Sequence, residues 1–138
     1  MLLLSRKGIL AIAAVIDVAL NSESRPVSAK ALASRQGLPP RHLEPVLQAL
    51  VHDGILRGVR GPHGGYALGR DKAHITANEI LRAAGTVEDA SENPLPGSFL
   101  VVGVVLPALA QAEQAFASAL GTIHLAELVE RAQTTATS

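Results

Sequence analysis

Cysteine is absent from the 138-residue sequence, and aromatic residues make up only 2% of it. The first absence excludes disulfides, thiolate nucleophiles and any iron–sulfur cluster held by cysteine. The second means that the core must be aliphatic, and 48% of the residues are hydrophobic. Long apolar segments are also lacking, because residues 99–110 are too few for the roughly 20 residues that span a bilayer. We therefore expect a cytoplasmic protein with no signal peptide and no membrane contact.

Charge is balanced overall but unevenly distributed along the chain. Residues 1–75 contain ten basic and five acidic side chains, whereas residues 76–138 contain two basic and seven acidic ones. The first part therefore carries about +5 and the second about −5. This asymmetry indicates a half that binds a polyanion, joined to a half that does not.

Residues 28–52 predict two helices joined by a tight turn. Ser28 is a suitable N-cap for the first helix, and Gly37 can end that helix in the left-handed conformation. Pro39 and Pro40 suit the first turn of the second helix, where no intrahelical donor is needed. The spacing of four apolar residues predicts the buried face of this helix: Leu43, Val46, Leu47 and Leu50.

A small hairpin is predicted directly after these helices. Residues 55–60 and 65–68 are strand candidates, and the glycine-rich segment 61–64 forms the turn between them. A phosphate-binding nucleotide loop does not fit this segment, because no Gly-Lys-Ser/Thr motif and no helix follow it. The sequence thus predicts a mainly α fold with a small β-hairpin wing, the pattern of a winged helix-turn-helix.

Helices are also predicted on both sides of this motif. The first, capped by Ser5, extends to Leu20 with its buried face formed by Ile9, Ile12, Ala13, Ile16 and Leu20. Thr76 and Glu79 form a capping box for a helix that ends at Gly85. We expect residues 1–85 to form one domain, followed by an acidic, proline-containing loop at 86–97.

Residues 98–120 predict a long helix that is apolar on nearly every side. Such a helix must be covered all round, and a second copy of the chain is the natural cover, so we expect a homodimer. Pro107 should kink the helix near Gly103. Gly121 should end it, and Thr122 should cap a final helix, so that 98–131 form the dimerisation element and 132–138 a frayed tail.

Five short segments also occur in order: residues 5–8, 26–28, 35–37, 42–44 and, above all, Val-Arg-Gly-Pro-His-Gly-Gly-Tyr at 59–66. Together they closely resemble the Rrf2 family of bacterial winged-helix transcription regulators. The resemblance is dense to about Ala84 and returns at 122–129. It implies that the second helix of the motif is the recognition helix, that Glu44 discriminates between DNA sites, and that Arg60 enters the minor groove from the wing. In cluster-binding members the cysteine ligands lie near 86–97, where this chain has none.

The candidate DNA-binding residues lie on the two helices of the motif, the wing and the start of the first helix. Arg41, Glu44 and Gln48 share one ridge that fits a major groove, although a solvated polar face is the competing interpretation. Lys7 either clamps a phosphate at its helix N-terminus or is simply solvated. The full set is Lys7, Ser28, Lys30, Arg41, His42, Glu44, Gln48, Arg60, His63 and Gly64.

No catalytic arrangement is evident in the sequence, and we expect no enzyme activity. The five histidines are scattered, so we expect no metal site among them. We expect a homodimeric repressor that binds a pseudo-palindromic duplex and carries no cofactor. A small ligand, a partner protein or no effector at all are open possibilities for its control. The alternative is a protein-interaction adaptor that uses its winged helix on another protein.

Overall fold

The computed structural model describes residues 6–22, 25–85 and 100–137. In this part of the chain a β-hairpin follows the third helix, and the helices and strands are α1 (Arg6–Asn21), α2 (Ala29–Gln36), α3 (Pro40–His52), β1 (Leu56–Val59), β2 (Gly65–Leu68), α4 (Ala77–Ala84), α5 (Leu106–Leu120) and α6 (Leu125–Thr137). A 3-10 turn precedes α4 and a π-helical segment precedes α5. The predicted mainly α fold with a small hairpin is confirmed.

Local signals at the helix ends place α2 and α3 where the sequence predicts them. The hydroxyl of Ser28 accepts a hydrogen bond of 3.0 Å from the backbone N–H of Ala31, which is an orphan donor of the first turn. Gly37 ends α2 with φ +71°, a conformation that favours glycine. Pro40 is the first residue of α3, where its missing N–H costs nothing. The two helices therefore meet across a very short connection.

Aliphatic side chains from most of the described elements form one core. Its largest fully buried members include Leu32 on α2, Leu47 on α3, Ile80 on α4 and Leu125 on α6. The four residues predicted to form the buried face of α3 are all buried. No aromatic residue belongs to the buried core of the described chain. The expected aliphatic core is confirmed.

The face of α1 that contacts the core agrees only in part with the predicted one. Ile9 and Leu20 are exposed, whereas the small side chains of Ala11, Ala14 and Val15 are fully buried. Ile12 and Ile16 of the predicted stripe are half-buried and pack against the core. The prediction was wrong at its two ends because α1 is apolar on most of its surface, so periodicity alone did not select a face. Small side chains on the buried face allow α1 to pack closely against α4.

The elements after the hairpin also depart from the prediction in detail. Thr76 accepts the N–H of Glu79 as in a capping box, but the carboxylate of Glu79 contacts Arg70 at 2.7 Å. Thr122 does not cap the last helix, because its hydroxyl donates to the carbonyl of Ala119. Helix α6 instead begins after an isolated bridge between His124 and Thr76.

The C-terminal end of α6 and the N-terminal end of α5 also differ from the predicted bounds. Residues 132–137, predicted to be frayed, belong to α6. Regular α-helix begins only at Leu106, after the π-helical segment Leu100–Val105, in keeping with an irregularity caused by Pro107. Gly121 ends α5 as predicted. The predicted cap Ser5, the loop at 86–97 and the helix start at 98 lie outside the described residues.

Among the described residues, no helix is both long enough and apolar enough to cross a membrane.

Candidate nucleic-acid interface

One face of α3 is polar and exposed. Arg41, Glu44 and Gln48 are all exposed, and their spacing of three and four residues places them on one ridge of the helix. His42, in the first turn, is also exposed. The opposite face is fixed in the core by four buried residues, so the orientation of the ridge is set by packing.

Prolines shape the beginning of this helix. The N–H of His42 bonds to the carbonyl of Pro39 at 3.0 Å, a short-range bond of 3-10 type. Pro45 lies inside α3, which continues through it to His52. Because proline has no N–H, the carbonyl of Arg41 lacks its usual intrahelical donor, so Arg41 presents both a cationic side chain and an acceptor near the start of the ridge.

The wing is a two-stranded antiparallel hairpin in which Leu56 pairs with Leu68 and Val59 with Gly65. Its turn is closed by a hydrogen bond of 2.9 Å from the N–H of Gly64 to the carbonyl of Gly61. A Cβ atom at Gly64 would overlap with the carbonyl of Val59, so this close approach requires glycine.

Two predicted site residues lie on this turn with exposed side chains. Arg60 directly follows β1, and His63 lies near the tip. Arg57, on β1, is exposed as well. The hairpin thus presents cationic groups on a compact, glycine-shaped loop, the geometry that minor-groove or phosphate contacts require.

A second attachment joins the wing to the segment before α2. Val27 and Tyr66 form an isolated bridge with backbone hydrogen bonds of 2.9 and 2.8 Å. Because Ser28 follows Val27, the N-terminus of α2 and the wing are held side by side. Lys30, in the first turn of α2, is exposed.

An open groove of about 420 Å³ lies between the start of α2 and the wing. The predicted site residues Ser28, His63 and Gly64 line it, together with Arg25 and Arg35. Lys7 is half-buried in the first turn of α1 and is not among the lining residues. The structure therefore brings three predicted residues together in the groove and three on the α3 ridge.

The interaction between Asp17 and Arg35 was missed by the sequence analysis. Asp17, on α1, is only 8% exposed and is the one charged residue in the buried set of the described chain. Arg35, on α2, donates from Nε to Oδ2 at 2.8 Å and from Nη2 to Oδ1 at 2.7 Å. Asn21 adds a bond of 3.1 Å to Oδ1. The residues are 18 positions apart, so no local pattern could reveal the pair.

Pairing changes how Arg35 contributes to the electrostatics of this surface. Its hydrogen bond to Asp17, with the attraction of that carboxylate, raises the pKa of Arg35 above its ordinary value despite some desolvation. The guanidinium is thus charged, but part of its charge is balanced by Asp17. The pair is neutral as a whole, and the charge of about +5 for residues 1–75 already includes both of its members.

Metal ligands are sparse in the described chain. Cysteine is absent from the sequence, so there is no thiolate to hold an iron–sulfur cluster. Within residues 6–22, 25–85 and 100–137, no group of three or more histidine or carboxylate side chains is placed to hold a metal ion. These residues do not fit an iron centre.

Several solved structures share the fold of this chain. IscR of T. potens superposes with a TM-score of 0.71 at 29% identity, covering 94% of this chain and 87% of that one. CymR of Staphylococcus aureus superposes with a TM-score of 0.70 at 25% identity, covering 91% of this chain and 97% of that one. CymR of B. subtilis, at 24% identity and a TM-score of 0.68, shows the shared fold.

Curated relatives agree with these structures. Over 88 residues the chain is 42% identical to the HTH-type transcriptional regulator IscR of Cronobacter sakazakii and 41% identical to that of Escherichia coli. Each match covers 64% of this chain and 54% of the relative, so the chain spans about half the length of these proteins. The profile of the Rrf2 family, described as an iron-dependent transcriptional regulator, matches residues 4–131. The chain belongs to the Rrf2 family of winged-helix transcriptional regulators.

Proposed function

We propose that this chain is a cytoplasmic, homodimeric regulator that represses transcription by binding a pseudo-palindromic DNA operator. The observation that carries the proposal is the division of α3 into a buried apolar face and an exposed ridge of Arg41, Glu44 and Gln48. The wing directly follows this helix. The helix and the wing together form a reading head, the unit that would contact the major groove and the adjacent minor groove. The Rrf2 relatives are named as HTH-type transcriptional regulators, which supports a regulatory function rather than an enzymatic one.

Each group on this surface suits a different contact. Arg41 donates to a guanine edge or a phosphate, Glu44 accepts from a cytosine amino group, and Gln48 pairs with adenine. On the wing, Arg60 enters the minor groove, where the negative potential attracts a cation. The remaining candidates contact the sugar-phosphate backbone and position the protein without reading the base sequence. They are Lys7, Ser28, Lys30, His42, His63 and Gly64.

Exposed apolar side chains support the homodimer. Leu100 is 65% exposed, and Val104, Val105 and Leu106 are also exposed large hydrophobic residues. Ile9 on α1 is 53% exposed. A second copy would bury these side chains and place two recognition helices about a two-fold axis, matching two half-sites one helical turn, or a multiple of one, apart.

Control of the repressor is proposed to be independent of a cysteine-ligated cluster. The absence of cysteine from the sequence removes the thiolates that such a cluster needs. A small ligand or a partner protein that alters the spacing of the two reading heads would control DNA binding, or the repressor acts constitutively.

Selection of genomic fragments by the purified protein, followed by a binding titration, tests the function. We expect an enriched pseudo-palindrome that survives non-specific competitor and an affinity that falls as salt rises. Arg60→Ala should weaken binding and lower the salt slope by about one, whereas Glu44→Ala should mainly change which bases are accepted. No enrichment over random fragments would contradict the proposal and favour an adaptor that binds protein.

The dimer is tested separately by light scattering. Val105→Glu places a charge among the exposed hydrophobic side chains and should shift the mass from dimer to monomer. Glu130→Gln, on an exposed part of α6, is the control and should leave the mass unchanged. A wild-type monomer at working concentrations would contradict the homodimer.

A further inference from the structure

The groove between α2 and the wing is lined by cationic and uncharged side chains among the described residues. Arg25 and Arg35 line it, His63 lies at its wing side, and none of its described lining residues is acidic. Within residues 6–22, 25–85 and 100–137, the carboxylate in contact with this set is that of Asp17, which lies behind Arg35 and is buried. An anionic group that enters the groove therefore meets positive charge and polar groups on its described lining residues.

The contact with Asp17 leaves much of Arg35 available. An arginine side chain has five N–H donors, and Asp17 accepts two of them, one from Nε and one from Nη2. The side chain is 46% exposed and lines the groove. Three donors therefore remain for a ligand on the side away from the carboxylate.

Fixing the guanidinium in advance should strengthen such a contact. A free arginine loses rotamer entropy when it binds an anion, and a planar fork held at two points has already lost it. Asn21 bonds to the same carboxylate, so Asp17 itself is held in one rotamer. The contacts of Asp17 therefore hold the guanidinium of Arg35 in one orientation.

We propose that the groove binds one phosphate group of the DNA backbone, that Arg35 and Arg25 are its cationic ligands, and that Asp17 is the residue that positions Arg35. This assignment rests on the DNA-binding function proposed above. The groove is open and lies between α2 and the wing, the two elements that would contact the duplex on either side of a phosphate. A free inorganic phosphate has the same chemistry, and the experiment below separates the two sources.

Asp17→Asn gives opposite expectations for positioning and for simple electrostatics. The substitution removes a negative charge, so long-range attraction alone predicts tighter binding to DNA. If Asp17 positions Arg35, the neutral side chain holds the guanidinium less firmly and binding becomes weaker. We expect about a tenfold loss of affinity for a duplex of mixed sequence at low salt, the size of one charge-assisted hydrogen bond.

Further variants separate charge, geometry and folding. Arg35→Lys keeps the charge but loses the two-point contact, and should weaken binding about as much as Asp17→Asn. Arg25→Gln, on an exposed side chain, should lower the salt slope by about one without changing stability. Arg131→Gln on α6 removes the same charge outside the groove, and should change neither the affinity nor the slope. Thermal unfolding of each variant sets a temperature at which all are folded.

The possible outcomes test the phosphate site separately from the proposed DNA-binding function. Wild-type protein that binds no duplex overturns both. Wild-type protein that binds, with Asp17→Asn equal or tighter, overturns the positioning role while the DNA-binding function stands. In a calorimetric titration we expect inorganic phosphate to show no saturable binding. Saturable binding of inorganic phosphate, combined with unchanged DNA affinity in Asp17→Asn and Arg25→Gln, would assign the groove to a free anion instead.

Discussion

The attachment of the wing to the segment before α2 predicts a large effect for one methyl group. A Cβ atom added at Gly65 would overlap with the carbonyl of Val27 and lie 2.8 Å from the backbone nitrogen of Ser28. These are backbone atoms that no rotamer change can move aside. Gly65→Ala must therefore push β2 away from Val27 and stretch the two hydrogen bonds between Val27 and Tyr66.

The expected destabilisation is the sum of lost bonds and strain. Each of the two backbone hydrogen bonds contributes about 0.5–1.5 kcal/mol to stability. Overpacking at a site with little room costs about 1–3 kcal/mol. We expect Gly65→Ala to lower the free energy of unfolding by about 2–6 kcal/mol. DNA affinity should also fall under conditions in which the variant is folded, because the wing that carries Arg60 is displaced.

Gly58 provides a matched control in the paired strand. It lies opposite Tyr66, and a Cβ atom there would meet nothing within 4 Å. Gly58→Ala should therefore be neutral or should stabilise by up to about 1 kcal/mol through the unfolded state. Urea unfolding at fixed protein concentration measures both variants. Equal midpoints for Gly65→Ala and Gly58→Ala would refute the reasoning that the close approach to Val27 holds the wing.

Three further predictions follow from single contacts. Leu47→Ala should destabilise by about 2–5 kcal/mol because Leu47 is fully buried, whereas Gln48→Ala on the exposed face should change stability by less than about 0.5 kcal/mol; urea midpoints that do not separate them would contradict the burial. Ser28→Ala should cost about 1 kcal/mol by removing the cap of α2, and Ser28→Asp should restore it; a stable Ser28→Ala would show that the cap is dispensable. Because contact with Asp17 raises the pKa of Arg35, the stability due to this charge is present below the unfolded pKa and is lost only as pH rises through the higher folded pKa. Urea midpoints should therefore show no loss attributable to Arg35 between neutral and moderately alkaline pH, and a loss that the double variant Asp17→Asn/Arg35→Gln lacks would contradict this.

Elements with a strong local signal were predictable from the sequence. Ser28, Gly37 and Pro40 each act on the backbone within a few residues, so the ends of α2 and α3 follow from residue type alone. The wing followed from its glycines in the same way, although β1 is shorter by a residue at each end than the predicted strand. The start of α6 was not predictable, because the bond from the N–H of Leu125 to the carbonyl of Ile75 joins residues far apart in sequence.

The candidate site likewise has a part that follows from local sequence patterns and a part that depends on tertiary packing. The exposed ridge of α3 follows from helical periodicity, since one apolar face leaves the opposite one in water. The groove and the contact of Asp17 with Arg35 depend on how α1 and α2 pack against each other. A single sequence does not specify the angle between two helices. In the sequence Asp17 is a single charge within an apolar helix, and its contact with Arg35 is evident only from the fold.

The exposure of Ile9 and Leu20, which were predicted to be buried on α1, has a physical consequence. A helix that is apolar on most sides gives no periodic signal for a single buried face, and such a helix needs cover on more than one side. Within the described chain the core fully buries Ala11, Ala14 and Val15 and partly covers Ile12 and Ile16, whereas Ile9 and Leu20 are exposed. The apolar character of most of the α1 surface therefore explains both the incorrect prediction and the need for a second surface that covers the helix. Because α1 also carries Asp17, whatever covers its exposed side packs against the helix that holds α2 in place.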